Sequence, residues 1–166
     1  MALSEKILRV EPYSAQHRSA VTDLILTIQN DEYGIPVTAQ QQPDLGDIEN
    51  FYQRDNGGFW LAQIDNRVVG TIALKDIGNR QAALRKMFVA AEYRGKPYGT
   101  GQALLNTLLA SARERGVSDI FLGTTAQFLA AHRFYEKNGF IEITVPELPA
   151  AFPLMQVDSK FYRFTC

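Results

Sequence analysis

Hydrophobic residues recur at two different spacings along the chain, and each spacing predicts its own kind of element. A short apolar run at residues 7–10 predicts a strand, and the spacing then becomes helical. The apolar positions of this first helix are Val21, Leu24, Ile25 and Ile28. Ser14 is expected to cap it, and Asp44 to cap a shorter helix that ends at Phe51, because their side chains accept bonds from free backbone N–H groups.

The middle of the chain predicts three strands. The runs FWLAQI and VVGTIAL flank Asp65-Asn66, which is typical of a hairpin turn, so these runs predict two antiparallel strands. A third strand, ALRKMFV, follows a polar turn at residues 78–81. It leads into RGKPYGTG, residues 94–101, which we call the glycine turn, and this turn opens the next helix.

The last third of the chain alternates helices with strands. The helix after the glycine turn has an apolar stripe and ends near Gly116. The stripe consists of Leu104, Leu105, Leu108, Leu109 and Ala112. The strand DIFLGTT, the helix AQFLAAHRFYEKN, the strand FIEITV, the loop PELPAAFPLMQVD and the strand SKFYRF follow. The order predicts an α/β (α+β) fold with a mixed sheet of about seven strands and four helices.

Composition narrows the class of protein. With 166 residues, 46% of them hydrophobic, a single domain spanning residues 1–166 can bury its own core. The net charge is -1, so no overall field attracts nucleic acid or a membrane surface. Cys166 is the only cysteine, and no apolar run approaches the roughly 18 to 20 residues that span a bilayer. We therefore expect a cytoplasmic protein that binds no metal, nucleic acid or membrane.

The glycine turn has the chemistry of a phosphate site. A helix N-terminus exposes unpaired N–H groups and the positive end of the peptide dipoles. Gly95, Gly99 and Gly101 let a phosphate approach the backbone, while Arg94 and Lys96 add positive charge. A tight turn without a ligand explains the glycines equally well. The spacing matches neither the P-loop GxxxxGK[ST] nor the dinucleotide-binding GxGxxG.

Two segments resemble motifs of the GNAT superfamily of acyl-CoA N-acyltransferases. MFVAAEYRGKPYGTGQALL is similar to that family's strand, arginine-glycine turn and helix, and AAHRFYEKNGF is similar to its second motif. The predicted order of elements also matches, so the resemblance covers nearly the whole chain. It implies a mostly antiparallel sheet with helices on its faces and acetyl-CoA as the acyl donor. It also implies direct transfer, through a ternary complex, to a primary amine of a small molecule or peptide. A homodimer is in keeping with the family.

The resemblance also implies roles for individual residues. The CoA pyrophosphate would lie on the glycine turn and the pantetheine arm along the strand before it. The residues implied are Met87, Phe88, Val89, Arg94, Gly95, Lys96, Tyr98, Gly99, Thr100 and Gly101. Tyr135 matches the family tyrosine that protonates the departing thiolate, although an aromatic packed at a helix end is the plainer reading. Phe128 replaces a frequent family asparagine, and Thr124 or Thr125 could supply its contact.

The general base has no family counterpart in this chain. The glutamate that many members carry on the strand before the turn falls at about Ala83. Glu32, in the irregular segment NDEYG, is our candidate base, ahead of Lys75 and Asp76, and a solvated loop carboxylate is its other reading. The missing glutamate slightly favours an alternative function, a non-catalytic or regulatory acyl-CoA-binding module. Tyr135 in its motif favours the enzyme.

The acceptor and the two histidines are less well defined by the pattern. Four acidic residues surround the segment expected to cover the acceptor, and they would suit a cationic amine; a solvated acidic loop explains them as well. They are Asp31, Glu32, Asp44 and Asp47. We interpret His132 and His17 as structural or surface residues, because no second ligand stands at metal-binding spacing.

Pro97 stands where the family pattern has its first motif glycine. Proline lacks an N–H, so it removes one phosphate donor, and a charge-assisted bond of this kind is worth about 1.5 to 3 kcal/mol. Because proline also restricts the backbone before binding, part of this loss is offset. We predict that Pro97→Gly keeps the CoA dissociation constant within about tenfold, as measured by isothermal titration calorimetry. A complete loss of binding would show that the proline itself shapes the site.

Overall fold

The structure is a computed structural model that describes residues 7–126, 128–155 and 158–166. Its strands are β1 (Arg9–Pro12), β2 (Gly58–Ile64), β3 (Arg67–Gly78), β4 (Gln81–Val89), β5 (Asp119–Thr124), β6 (Ile141–Ile143) and β7 (Lys160–Thr165). Its α-helices are α1 (Arg18–Leu26), α2 (Ile48–Phe51), α3 (Thr100–Glu114) and α4 (Leu129–Lys137). One seven-stranded sheet has the order β1-β2-β3-β4-β5-β7-β6. The predicted fold class is confirmed.

The sheet is antiparallel except where β4 meets β5. These two strands run parallel and pair only over residues 81–83 and 119–121. Beyond that point β4 keeps its pairing with β3, and β5 keeps its pairing with β7. The two strands therefore separate, and a cleft opens in the middle of the sheet.

Two hydrophobic layers hold the helices against the sheet. On one face, α3 buries the predicted stripe completely at Leu104, Leu105 and Leu108. On the other face, Ile25 of α1 and Ile48 of α2 pack against the sheet. Full burial of one such aliphatic side chain contributes about 1.5 to 3 kcal/mol, so these contacts fix the helices that border the cleft.

Both predicted helix caps take other roles. Ser14 makes no side-chain cap bond, and α1 begins only at Arg18 because a 3₁₀ turn precedes it. Asp44 is buried, and its carboxylate accepts a bond from the Tyr52 hydroxyl at 2.6 Å. Since a tertiary partner occupies this carboxylate, Asp44 does not cap α2, which begins at Ile48.

A β-bulge in β4 is absent from the predicted pattern. Phe88 pairs with Thr71 while Arg85 pairs with Ala73, so β4 contains one residue more than β3 over this stretch. Lys86 has a φ of 53°, and its carbonyl accepts a bond from the Thr71 hydroxyl at 2.7 Å. A bulge re-aims side chains that would otherwise alternate between the faces of a strand.

The ends of several elements also differ from the prediction. The first strand lies at Arg9–Pro12 instead of residues 7–10, and β6 ends at Ile143. Gln127, in the predicted fourth helix, and residues 156 and 157, in the predicted last loop, lie outside the described residues.

Candidate active site

The cleft between β4 and β5 has a volume of about 720 Å³. Met87 and Phe88 contribute to its β4 side. Thr124 of β5 and Tyr135 of α4 contribute to the opposite side. The segment that follows α1 covers it, with Tyr33 in contact with Phe128 at a ring separation of 4.7 Å. The separation of two strands thus creates a partly covered cleft without any extra domain.

Tyr135 is buried in this cleft with 6% of its surface exposed. Its ring packs 5.4 Å from the ring of Phe140 and 6.1 Å from that of Tyr162. Burial raises the pKa of the Tyr135 hydroxyl, because a phenolate would lose its hydration there. The hydroxyl therefore keeps its proton at neutral pH, which is what a general acid requires.

One backbone amide of β4, that of Val89, faces away from the neighbouring strand β3. The Ala90 N–H donates to the Val69 carbonyl at 2.8 Å. Because bonding alternates along antiparallel strands, the Phe88 backbone also faces β3, whereas that of Val89 faces away from it. The Val89 carbonyl accepts a bond from Arg94 Nε at 2.8 Å. Of the three backbone positions predicted to hold pantetheine, Met87 and Phe88 line the cleft, whereas Val89 turns its N–H away from β3 without lining the cleft.

The glycine turn leaves backbone donors free at the start of α3. Gly99 caps the helix with a φ of 64°, and the Ala103 N–H makes the first helical bond to the Gly99 carbonyl at 3.0 Å. The N–H groups of the first helical turn therefore have no partner within the helix. They belong to Thr100, Gly101 and Gln102. A Cβ atom at Gly95 or Gly99 would meet no other atom within 4 Å, so the space over the turn is open.

Three predicted residues of the turn differ in exposure. The Tyr98 ring packs 5.0 Å from the Tyr93 ring and holds the turn against the core. Lys96 is exposed, so its ammonium can approach a phosphate on the turn. Thr100 is fully buried, and its hydroxyl has no hydrogen-bond partner within the part of the chain that the structure describes. Gln102 was missed by sequence reasoning, although its place in the first helical turn was the available signal.

Arg94 and Glu32 lie elsewhere than expected. The Arg94 guanidinium binds both carboxylate oxygens of Glu32, with Nη2 at 2.7 Å from Oε1. This hydrogen-bonded ion pair lowers the pKa of Glu32. Glu32 lines a separate groove with His17 and Asp31, whereas Tyr135 lies in the cleft. The structure therefore corrects two expectations: Glu32 does not border the cleft, and the Arg94 charge faces Glu32 instead of the turn.

Replacing Glu32 with glutamine tests both the ion pair and the proposed base. Because this pair is partly exposed, the free energy of unfolding at pH 7 is expected to fall by at most about 1 kcal/mol. Folding lowers the pKa of Glu32, whose value in the unfolded chain is about 4.3. The ion pair therefore stabilises the protein fully above about pH 4.3, and this stabilisation is lost as the pH falls through the pKa of the folded state. Urea unfolding at pH 7 and pH 3 measures this, and kcat of the same variant shows whether Glu32 accepts the amine proton.

The weaker base candidates have structural partners. Lys75 Nζ donates to the Phe51 carbonyl at 3.1 Å and lies 4.6 Å from the centre of the Phe51 ring. Asp76 accepts bonds from the backbone N–H groups of Asn56 and Gly78 at 3.0 and 2.7 Å. Ala83 is fully buried at the last β4–β5 pair. These contacts explain the polar residues as parts of the scaffold.

The β5–α4 turn places a polar group near the cleft. His132 is buried, and its Nε2 lies 2.8 Å from the Thr125 carbonyl oxygen, which gives this histidine a structural role. The buried Thr125 hydroxyl has no partner among the described residues. Thr125 lines the cleft, so its hydroxyl can bond to an amide of a bound substrate.

The expected acidic acceptor site does not assemble. Asp31 and Glu32 lie in the separate groove, and Asp47 is exposed. Asp44 does line the cleft, but its Oδ2 lies 3.6 Å from Lys86 Nζ. Since this cation balances the Asp44 charge, these four residues do not form a site for a cationic acceptor.

Comparisons with known proteins agree with the fold. The model of the Acetyltransferase (GNAT) family matches residues 22–140. A solved structure, an acetyltransferase of the GNAT family from Staphylococcus aureus Mu50, is 36% identical with a TM-score of 0.91, over 96% of this chain and 99% of that one. The chain belongs to the GNAT acetyltransferase family.

Two further relatives differ in what they cover. N-acetylaspartate synthetase of Xenopus tropicalis is 41% identical over 108 residues, which are 63% of this chain and 38% of that protein. PaiA N-acetyltransferase from Thermoplasma acidophilum, solved in complex with coenzyme A, has the same fold, with a TM-score of 0.73 at 18% identity over 96% of this chain and 99% of that one. The chain spans less than half the length of the curated relatives that it matches. Within the described residues, no helix is both long and apolar enough to cross a membrane.

Proposed function

We propose that this chain is an acetyl-CoA-dependent N-acetyltransferase that moves the acetyl group directly to an amine. The observation that carries this proposal is that Tyr135 lines the cleft between β4 and β5, where burial raises the pKa of its hydroxyl. Membership of the GNAT family and the names of the relatives, N-acetylaspartate synthetase and N-acetyltransferase 8B among them, support transfer to nitrogen.

The residues of the glycine turn fit the pyrophosphate of acetyl-CoA. The free N–H groups at the start of α3 and the exposed Lys96 supply donors and positive charge. The pantetheine arm would lie along β4, where the Val89 N–H and the Thr125 hydroxyl can bond to its amides. Tyr98, Gly95 and Gly101 would shape the turn, and Arg94 would hold it through the Val89 carbonyl.

The reaction balances with one acid and one base. The free amine nitrogen attacks the acetyl carbonyl carbon, the new C–N bond forms, and the C–S bond breaks. Tyr135 donates its proton to the thiolate, and the attacking nitrogen releases one proton to a base or to water. One proton then returns from solvent to Tyr135, so the products are the amide and the free thiol of CoA. A positioned general acid contributes about 10²- to 10⁴-fold to the rate. A thioester needs no covalent enzyme intermediate, because an amine can attack it directly. Much of the remaining rate acceleration therefore comes from holding the acceptor in position in the cleft.

The identity of the base stays a prediction. Glu32 was our candidate, but its ion pair with Arg94 lowers its pKa and weakens it as a proton acceptor. If kcat of the Glu32→Gln variant equals that of the wild type, an alternative acceptor such as a water chain takes the proton. A fall of about 100-fold would support Glu32.

An amine panel with thiol detection of released CoA tests the proposed activity. Acetylated product, identified by mass spectrometry, is expected for at least one primary amine. Binding of acetyl-CoA without any turnover across the panel would favour the binding-module alternative. The homodimer and the cytoplasmic location also stay predictions, and size-exclusion chromatography with light scattering tests the former.

A further inference from the structure

The bulge in β4 brings two consecutive cationic residues to one side of the strand. Phe88 packs against the hydrophobic cluster on the α1 and α2 face, whereas Met87 and Val89 pack on the α3 face. The Lys86 ammonium donates to Gln42 Oε1 at 2.5 Å on the Phe88 side. The Arg85 guanidinium lies 5.7 Å from the centre of the Phe51 ring, also on this side. Without the bulge, Arg85 and Lys86 would point to opposite faces.

The charge of Lys86 is balanced within the protein. Its ammonium lies 3.6 Å from Asp44 Oδ2, and the same carboxylate oxygen accepts the Tyr52 hydroxyl at 2.6 Å. Gln42 completes this buried network, whose side chains are less than a tenth exposed. The network is therefore neutral, and it leaves neither Lys86 nor Asp44 to attract a charged substrate.

Arg85 has no such partner. Its guanidinium contacts Met155 Sδ at 3.9 Å, and no carboxylate oxygen lies within 4 Å of it among the described residues. Asp158 is the nearby acid. Burial raises the pKa of its carboxyl group, and the positive charge of Arg85 offsets part of this rise. Arg85 is half-buried and lines the cleft that also contains Tyr135. A guanidinium carries five N–H donors, so most of those of Arg85 remain for a ligand.

We propose that Arg85 binds a carboxylate group of the acceptor, so that the substrate class is an amine that also carries a carboxylate, such as an amino acid. This inference rests on the proposed N-acetyltransferase function. A guanidinium group can form two parallel hydrogen bonds with a planar carboxylate. Contact with the Phe51 ring restricts the orientation of the Arg85 guanidinium. Asp158 lines the same cleft and disfavours a more highly charged group such as a phosphate dianion.

The test compares acceptors that differ only in the carboxylate. Glycine, L-aspartate and L-glutamate are paired with their amides, and putrescine represents cationic amines. Wild-type enzyme is expected to acetylate at least one carboxylate acceptor in preference to its amide. In Arg85→Gln the KM of that acceptor is expected to rise about 10- to 100-fold while kcat changes less, because the contact exists before and during the reaction. Arg85→Lys is expected to restore part of the affinity.

Controls separate specificity from folding. Arg54→Gln removes an exposed arginine outside the cleft and is expected to leave KM unchanged. Thermal unfolding of each variant detects a loss of structure. Equal use of carboxylates and amides by the wild type would overturn the proposal, as would an equal loss of both in Arg85→Gln.

A binding measurement keeps the inference apart from the proposed reaction. Calorimetry with N-acetyl-L-glutamate and with its diamide, each in the presence of CoA, is expected to show about tenfold or more preference for the acid in wild type and none in Arg85→Gln. If no amine is acetylated but this preference is found, the transferase function fails and the carboxylate site stands. If neither compound is preferred, the carboxylate site fails.

Discussion

Tyr135→Phe is expected to lower kcat by about 100-fold or more while the CoA dissociation constant stays within about twofold. In the proposed reaction the hydroxyl is the proton donor, and its loss leaves the buried ring and its packing against Phe140 in place. The ordinary pKa of a tyrosine is about 10. Because burial raises the pKa of Tyr135 above this value, its hydroxyl stays protonated up to pH 10, and loss of activity through its deprotonation begins only above pH 10. Steady-state kinetics at saturating acceptor, from pH 7 to pH 10, measure the fall in kcat and are expected to show no alkaline loss through Tyr135 in this range.

Tyr162→Phe provides the matched control. Tyr162 is a second buried tyrosine next to Tyr135, and its hydroxyl donates to Glu136 at 2.7 Å instead of lining the cleft. Its replacement is expected to lower the free energy of unfolding by about 1 kcal/mol and to leave kcat within about twofold. If Tyr135→Phe retains full kcat with a rate-limiting chemical step, Tyr135 is a packing residue and another group protonates the thiolate.

Gly99→Ala is expected to weaken CoA binding about tenfold or more, or about 1.4 kcal/mol. A residue with a Cβ at a φ of 64° costs about 1 to 2 kcal/mol in backbone strain. The added methyl group also enters the open space above the turn, where we place the pyrophosphate. Calorimetry with CoA gives the affinity, and urea unfolding gives the change in stability.

Gly116 offers the same substitution at the other end of α3. Its φ is 77°, and a Cβ there also meets no atom within 4 Å. Gly116→Ala is therefore expected to lower the free energy of unfolding by about as much as Gly99→Ala does, without a change in CoA affinity. Equal CoA affinities in the two variants would place the phosphates away from the glycine turn.

Local patterns were sufficient to predict most of the fold. The stripe that begins at Leu104 and Leu105 repeats at helical spacing, and the hairpin around Asp65 is marked by its turn residues. Such signals lie within about ten to fifteen residues of sequence, so the chain alone contains them. The predicted caps were wrong: Ser14 makes no cap bond, and the Asp44 carboxylate accepts a bond from the Tyr52 side chain, a pairing that hydrophobic spacing does not indicate.

The site was only partly predictable for the same reason. The motif around Tyr135 identified a residue that does lie in the cleft. The side-chain direction of Arg85 depends on the bulge at Lys86, and the bulge depends on the register of β4 against β3. The bond between Arg94 and Glu32 joins residues 62 positions apart. These features arise from pairing between distant segments, and a single sequence gives no direct signal for them.

The early end of the β4–β5 pairing also bears on solubility. A sheet that stops pairing normally leaves an exposed edge, to which a strand of another chain can add, and such edges promote aggregation. Here the stretches of β4 and β5 that no longer pair with each other border the cleft, which the segment with the aromatic contact of Tyr33 and Phe128 covers. Because these two strands stay joined at residues 81–83 and 119–121 and keep their pairing with β3 and β7, the stretches are not a free outer edge of the sheet to which another chain can add. The same geometry that offers backbone groups to a substrate therefore withholds them from self-association.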